Sequence, residues 1–370
     1  MSIITRSLMQ QFRRPSRVGW IGVDIGSHSV KLAQLEIVNG RKQIAEAAVI
    51  YRDESTANIV EWLSSGTLSK GIRLILSQNR RFRGRDVACA LSTTALDFRS
   101  MRIPPGSDDE RRRMISQDLS DSGDFVTTPF QFDFWNVYSS TSEPEATDST
   151  VNVIAVTDEL ATQVSNSIRI AGLDCQVLDG GPFPQARSLD LIRFGTVSNR
   201  PAAILDWGHN TANFAVVIDS QPAFSRSLKS CGVGSLVGAV QEGLGVSIED
   251  CHEILSTSGV VNTLEPSGTT ELQDLVTDFA GSSLDDLVAE LQKTLSFLRN
   301  QRAELLPERI WLAGGGATIH HIAASLSHRL GLPVETWRHP LICAATSSAA
   351  RTRAELLVQA AALSDLGFRE

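Results

Sequence analysis

Cysteine is scarce and scattered in this 370-residue chain: Cys89, Cys175, Cys231, Cys251 and Cys343 form no pair with metal-ligand or redox spacing. That scatter argues against zinc and iron–sulfur sites, and for reduced thiols packed as small apolar groups in a cytosol. A net positive charge is lacking too. The formal net charge is −8, so nonspecific nucleic-acid binding by the chain as a whole is not indicated. The locally basic stretch from Arg80 to Arg113 is interleaved with Asp86, Asp97, Asp108, Asp109 and Glu110 and has few aromatics for stacking bases. A solvated face or a protein contact fits it better than nucleic acid. No run approaches the ~20 apolar residues that cross a bilayer, and the N-terminus has no signal-peptide core. Residues 1–17 carry Arg6, Arg13, Arg14 and Arg17 without an acid. They read either as a disordered lead-in or as a weak basic contact with an anionic membrane surface, too weak to anchor the protein unaided.

What the chain does have is apolar strands that end in an acid and a glycine. Trp20-Ile-Gly-Val-Asp24-Ile25-Gly26-Ser27-His28-Ser29-Val30-Lys31-Leu32 reads as a strand, a turn rich in hydroxyls, and a returning strand with one lysine. Such a hairpin can hold phosphates. Gly26 lets the backbone come close, N–H groups, Ser27 and Ser29 donate, Asp24 can hold a hydrated Mg²⁺, and Lys31 offsets phosphate charge. Alone the pattern is weak, since an empty Asp-Ile-Gly hairpin is common. The design recurs at Ile204-Leu205-Asp206-Trp207-Gly208-His209-Asn210-Thr211-Ala212-Asn213-Phe214. Two such hairpins far apart suggest a duplicated fold with a nucleotide between its halves. A third element, Ile310-Trp-Leu-Ala313-Gly314-Gly315-Gly316, runs a buried strand into three glycines, with a helix expected from about Ile319. It would allow close backbone approach to a nucleoside, aided by the helix field.

The chain is long enough for two domains of ordinary size, and its apolar and charged fractions are those of a folded protein. Strands are expected near 19–25, 29–38 and 43–52, at Val87–Leu91 and from Ala95 to Ile103. A helix is expected over Asn58–Leu68, and either a helix or a short strand over Lys70–Phe82. Phe130–Tyr138 and Val151–Val156 read as a hairpin around a polar loop from Ser139 to Thr150, with a helix following from Leu160 to Ala171. A polar stretch from Ser256 to Ser283 contains an expected loop at Pro266–Thr270. An amphipathic helix is predicted over Leu284–Leu305, and a closing helix in Ser347–Phe368.

These pieces, in this order, resemble the actin, Hsp70 and sugar-kinase superfamily, and within it the PilM family of type IV pilus assembly proteins. Besides the hairpins, the likeness rests on Phe98-Arg-Ser-Met-Arg102-Ile103-Pro104-Pro105 with a helix over Asp108–Leu119. It also takes in Ile170-Ala-Gly-Leu173, Pro222–Arg226, Leu244-Gly-Val-Ser247 and the helix Leu291–Arg299. The resemblance implies an α/β class and a duplicated actin-like ATPase fold, two domains flanking a nucleotide cleft with an inserted subdomain like that of FtsA and PilM. The implied division is a first half over 18–85 and 179–199 and an inserted subdomain over roughly 86–178. A second half over 200–340 would include a small subdomain at 251–304, and a helical segment would close the chain at 341–370.

By the same resemblance the cofactors are ATP and Mg²⁺, the metal held by Asp24 and Asp206 through water. Gly26, Ser27, Ser29 and Lys31 would face one side of the phosphates, Gly208, Asn210 and Thr211 the other, and Gly314, Gly315 and Gly316 the nucleoside. Cys231-Gly232-Val233-Gly234 either adds backbone contacts on the ribose side or is a plain helix N-terminus. His209 either touches a phosphate or is an ordinary surface residue. Many PilM-like chains carry Asp-x-Glu-Pro between the halves, where this chain has Asp179-Gly180-Gly181-Pro182. A glycine cannot orient water, so nucleotide binding with slow or absent turnover is expected, and no catalytic residue is assigned. The implied role is a cytoplasmic scaffold, peripheral to the inner membrane through its partners. It would dock the N-terminal peptide of a PilN-like inner-membrane protein in a groove around Val87–Leu91, Phe98–Pro105 and Asp108–Leu119, beside other inner-membrane pilus components. The alternatives are an FtsA-like filament former and, as an enzyme, a small-molecule (sugar) kinase.

Overall fold

The computed structural model describes residues 18–52, 59–121, 123–137, 149–192, 200–262, 268–338 and 353–369. The expected basic lead-in, nearly all of the Ser139–Thr150 loop, part of the loop at Pro266–Thr270, Cys343 and the first part of the closing segment lie outside them.

Two five-stranded sheets repeat one topology. In the first, β1 (Val18–Ile25), β2 (Ser29–Val38) and β3 (Arg41–Tyr51) form an antiparallel meander, and β4 (Asp86–Leu91) and β8 (Asp174–Gly180) join parallel to β1, giving the order β3-β2-β1-β4-β8. In the second, β9 (Ala202–Trp207), β10 (Ala212–Ile218) and β11 (Gln221–Leu228) form the meander. Strands β12 (Ile310–Ala313) and β13 (Val334–Thr336) add parallel, for the order β11-β10-β9-β12-β13. The central strands read as unbroken apolar runs because both faces are covered.

Helices α1 (Ile59–Ser64), α2 (Thr67–Gln78) and α4 (Asp158–Ile170) lie over one face of the first sheet, where Trp62, Leu68, Ile72, Val164 and Ile168 share a core with Val23, Leu32 and Cys89. The stretch from Lys70, left open between helix and strand, is thus helical. On the second sheet α6 (Val233–Leu244), α7 (Ile248–Thr257), α8 (Glu271–Gln301) and α9 (Ile322–Leu330) do the same. Between the two sheets run α5 (Pro182–Ile192), which packs on the second, and α10 (Val358–Ser364), which packs on the first. These two helices meet in a core containing Leu35, Ile44, Leu189, Ile204, Val217, Trp337 and Ala361, so one apolar cluster joins the halves.

A third, three-stranded sheet, ordered β5-β7-β6, is inserted between β4 and α4: β5 (Asp97–Ile103), β6 (Phe130–Asn136) and β7 (Ser149–Thr157), with α3 (Asp108–Ser120) packed on it. Helix α3 starts at a capping box in which Ser107 and Glu110 satisfy each other's orphan N–H groups. The expected range 86–178 for this insertion takes in β4 and β8, which belong to the first sheet. Residues Val87–Leu91 are no more than 2% exposed, so they cannot line a docking groove.

Candidate functional site

Each acid-tipped hairpin closes in the same way. After Asp24 and Ile25, the Gly26 N–H donates to the Ser29 carbonyl at 3.0 Å. After Asp206 and Trp207, the Gly208 N–H donates to the Thr211 carbonyl at 3.0 Å. A Cβ on Gly26 would stand 3.0 Å from the Ser29 carbonyl oxygen, and one on Gly208 would stand 3.0 Å from the Thr211 carbonyl oxygen, so both turns close tightly over glycine. The residues paired across from the acids differ. Lys31 lies opposite Asp24, its Nζ 3.3 Å from the carboxylate. Asn213 lies opposite Asp206 and accepts instead from Thr93 Oγ1 of the first half, at 3.0 Å.

The two turns face one another across a single cavity of about 520 Å³. Asp24, Gly26, Ser27, Ser29 and Lys31 line it from the first half, and Asp206, Gly208, Thr211, Gly314 and Gly315 from the second. Four expected residues do not. Asn210 is exposed at the tip of its turn. Gly316 is buried, and a Cβ there would lie 2.1 Å from the Trp207 indole, so this glycine exists to seat that ring. Gly232 and Gly234 pack behind the second turn, where an added Cβ would meet the His209 and Asn210 backbone at Gly232 and the His209 ring at Gly234. The Val233 and Gly234 N–H groups are already donated to the Gly208 and His209 carbonyls, at 2.9 Å each. Gly232 is the N-cap of α6, and Val233 of the Cys231–Gly234 segment lines the cavity. The glycine run also continues differently from expectation: a 3-10 turn over Gly315–Thr318 intervenes, and α9 starts only at Ile322.

Several lining residues carried no clear signal in the sequence. His28 and His209 meet at the tips of the turns. Arg52 reaches in from the end of β3, His252 and Glu249 from α7, and Arg353, Glu355 and Gln359 from α10 and the segment before it. Gln359 Nε2 donates to Asp206 Oδ2 at 2.6 Å. A glutamine in an otherwise apolar first turn of an alanine-rich helix was the available hint. Val237, Ile248, Leu255 and Ile319 form an apolar wall at the second-half end, and Gly181 closes the opposite side.

Burial and the nearby Asp24 charge push the Asp206 carboxyl up to about 6; Lys31 and hydrogen bonds from Gln359 and Gln185 only partly offset this. Two carboxylates that repel each other across a space are a fitting place for a cation. Among the described residues, no cluster of three or more His, Cys, Asp or Glu side chains could hold a metal ion by itself. Two carboxylates completed by water and phosphate oxygens are the usual way Mg²⁺ is bound.

Repeated sheets, a cleft between them and matched acid-tipped turns define a duplicated α/β protein of the actin-like class. A family model described as "Type IV pilus assembly protein PilM" matches residues 22–354, and the chain belongs to that family. Among solved structures, it is similar to one titled "PilM-PilN type IV pilus biogenesis complex", with 22% identity and a TM-score of 0.75, covering 95% of this chain and 99% of that one. It is also similar to ethanolamine utilization protein EutJ from Carboxydothermus hydrogenoformans, with 14% identity and a TM-score of 0.55, covering 96% of this chain and 92% of that one.

Proposed function

We propose that this PilM-family chain binds Mg-ATP between its halves and uses the bound state to set how its inserted sheet engages an inner-membrane partner in type IV pilus assembly. One observation carries the nucleotide reading: both acid-tipped turns and Gly314–Gly315 line the same cavity, whose size falls in the range of small-molecule sites. The phosphate tail lies between the turns, against their N–H groups, Ser27, Ser29, Thr211 and Lys31. Asp24 and Asp206 hold the hydrated Mg²⁺, which supplies charge neutralisation to the phosphates. The nucleoside lies toward Val237, Ile248, Leu255 and Gly315, where Glu249 and Thr318 offer polar partners.

Turnover is slow or absent in this reading. The family's glutamate position is held by Gly181, which lines the cavity and has φ +59, so no carboxylate stands there to orient water. The partner is the cytoplasmic N-terminal peptide of a PilN-like protein, which supports a location peripheral to the inner membrane. No helix among the described residues is long and apolar enough to cross a membrane. With β4 sealed, the docking face is confined to β5 and the exposed side of α3.

Calorimetric titration tests both parts. Wild type should bind Mg-ATP, and Asp24→Asn should weaken binding about 10- to 100-fold, as loss of a group that orients a bound metal does. Unchanged affinity in the variant would remove the proposed site. Failure of the cognate PilN-like peptide to bind, with or without nucleotide, would remove the scaffold role.

A further inference from the structure

The two hairpin turns touch through histidine. The rings of His28, from the first, and His209, from the second, are stacked with centroids 4.2 Å apart and planes within 12°. Both line the phosphate end of the cavity. Around them stand two cations, Lys31 on β2 and Arg52 at the end of β3, and the imidazole of His252 on α7, itself lowered first by burial. Tyr51 sits edge-on to His28 at 5.8 Å. On the far side, Glu249 of α7 and Arg353 before α10 act on His252. Burial chiefly, then the charges of His209, His252, Lys31 and Arg52, pushes His28 down to about 4, and burial lowers His209. The stack is therefore a contact between neutral rings, and two charged ones would repel at this distance.

Asp24, paired with Lys31, and Asp206 supply the negative charge at the bases of the two turns, Arg52 adds positive charge beside the rings, and the two titratable rings stand where the halves meet. Resting on the nucleotide reading above, we infer that His28 and His209 form a proton-accepting clasp for the polyphosphate tail, parting as it enters and each binding phosphate oxygen as an imidazolium. One proton per ring comes from solvent, and no covalent bond changes. The entering anion offsets Lys31 and Arg52, and so favours the charged form of each ring. Protons are gained on binding, so affinity must strengthen as pH falls.

Calorimetric titration of the full-length protein with Mg-ATP near pH 7.5, where Asp206 is already ionised and releases no proton, in two buffers of different ionisation enthalpy, reads the proton count. Wild type should take up about one to two protons, and its affinity should strengthen between pH 8 and 6 by up to about tenfold per pH unit for each proton. The double variant His28→Gln, His209→Gln should bind several-fold more weakly and lose the linked uptake. Imidazole NMR of the wild type, which needs no variant to fold, should show both rings moving toward their charged positions as Mg-ATP is added. Binding without uptake, equal uptake in the double variant, or unmoved imidazole resonances would overturn the clasp and leave the nucleotide site standing. Absence of Mg-ATP binding by wild type would overturn the nucleotide reading and the clasp with it.

Discussion

Asp206 is held in a place that suits it only when something positive is nearby. Its carboxyl is pushed from an ordinary 3.8 to about 6, first by burial and then by Asp24. A raised carboxyl favours the protonated folded state, so the stability it contributes is full below about pH 4 and is lost as pH rises through about 6. Above that, the ligand-free protein carries the whole penalty. Asp206→Asn should therefore stabilise the ligand-free protein at pH 7.5 by on the order of 2 kcal/mol and less at pH 4.5, while reducing stabilisation by Mg-ATP. Thermal unfolding at the two pH values, with and without nucleotide, checks this, and a gain equal at both would refute the electrostatic account. Asp24 and Asp206 were legible in the sequence because a strand, an acid and a glycine turn are a local pattern. Gln359, which holds Asp206 from α10, was not, because nothing local says which strand that helix will cover. The His28–His209 stack was illegible for the same reason: each ring lies in a readable turn, but their meeting depends on how the two sheets are set against each other.

Elements repeat this division between local and distant causes. The apolar runs of β1, β2, β9 and β12 reveal themselves, but the glycines within β1 mean something only beside α10. A Cβ on Gly22 would lie 1.9 Å from the Ala360 carbonyl oxygen, and one on Gly19 would lie 2.3 Å from that of Ser364. Ser364 Oγ ties the same helix down, donating to the Trp20 carbonyl and accepting from the Leu35 N–H. Gly22→Ala should cost about 1–3 kcal/mol by overpacking against backbone that cannot swing aside. By shifting α10 it should also draw Gln359 away from Asp206. Gly238→Ala in α6, where an added Cβ meets nothing within 4 Å, should instead stabilise by about 0.5–1 kcal/mol. Urea unfolding of the pair measures both signs, and equal effects would mean that the close approach of α10 has no energetic consequence. Helix α8 shows where periodicity misled. Its apolar stripe predicted a start at Leu284, yet the helix begins at Glu271 behind a Thr270–Gln273 capping box, with Val276 and Ala280 continuing the buried face through polar neighbours. Of the closing segment, the described residues 353–369 hold α10 at Val358–Ser364 between 3-10 turns at Ala354–Leu356 and Asp365–Phe368.

At the scale of the molecule, duplication was legible and the route between sites was not. The inserted sheet rests on the short segment that joins β8 to α5, and that segment also closes the cavity. Leu96 fills the space where a Cβ on Gly180 would lie, 2.3 Å away, and Ile154 packs against Gly181. Trp135 of β6 meets Phe183 edge-on, with ring centroids 4.4 Å apart. Helix α5 carries the same segment onto the second sheet, so any change in the angle between the halves must move Gly180–Phe183 against the inserted sheet. Nucleotide and partner peptide should then be coupled through a contact neither one touches, with each changing the other's affinity by the same factor, about 5- to 150-fold for couplings of ordinary size. Phe183→Ala should leave the intrinsic affinity for Mg-ATP within about twofold, since Phe183 does not line the cavity, and should shrink the coupling several-fold. Titrating the PilN-like peptide with and without saturating Mg-ATP, in wild type and variant, closes the thermodynamic cycle. An undiminished coupling in Phe183→Ala would mean that closure reaches the inserted sheet by some path other than this aromatic contact.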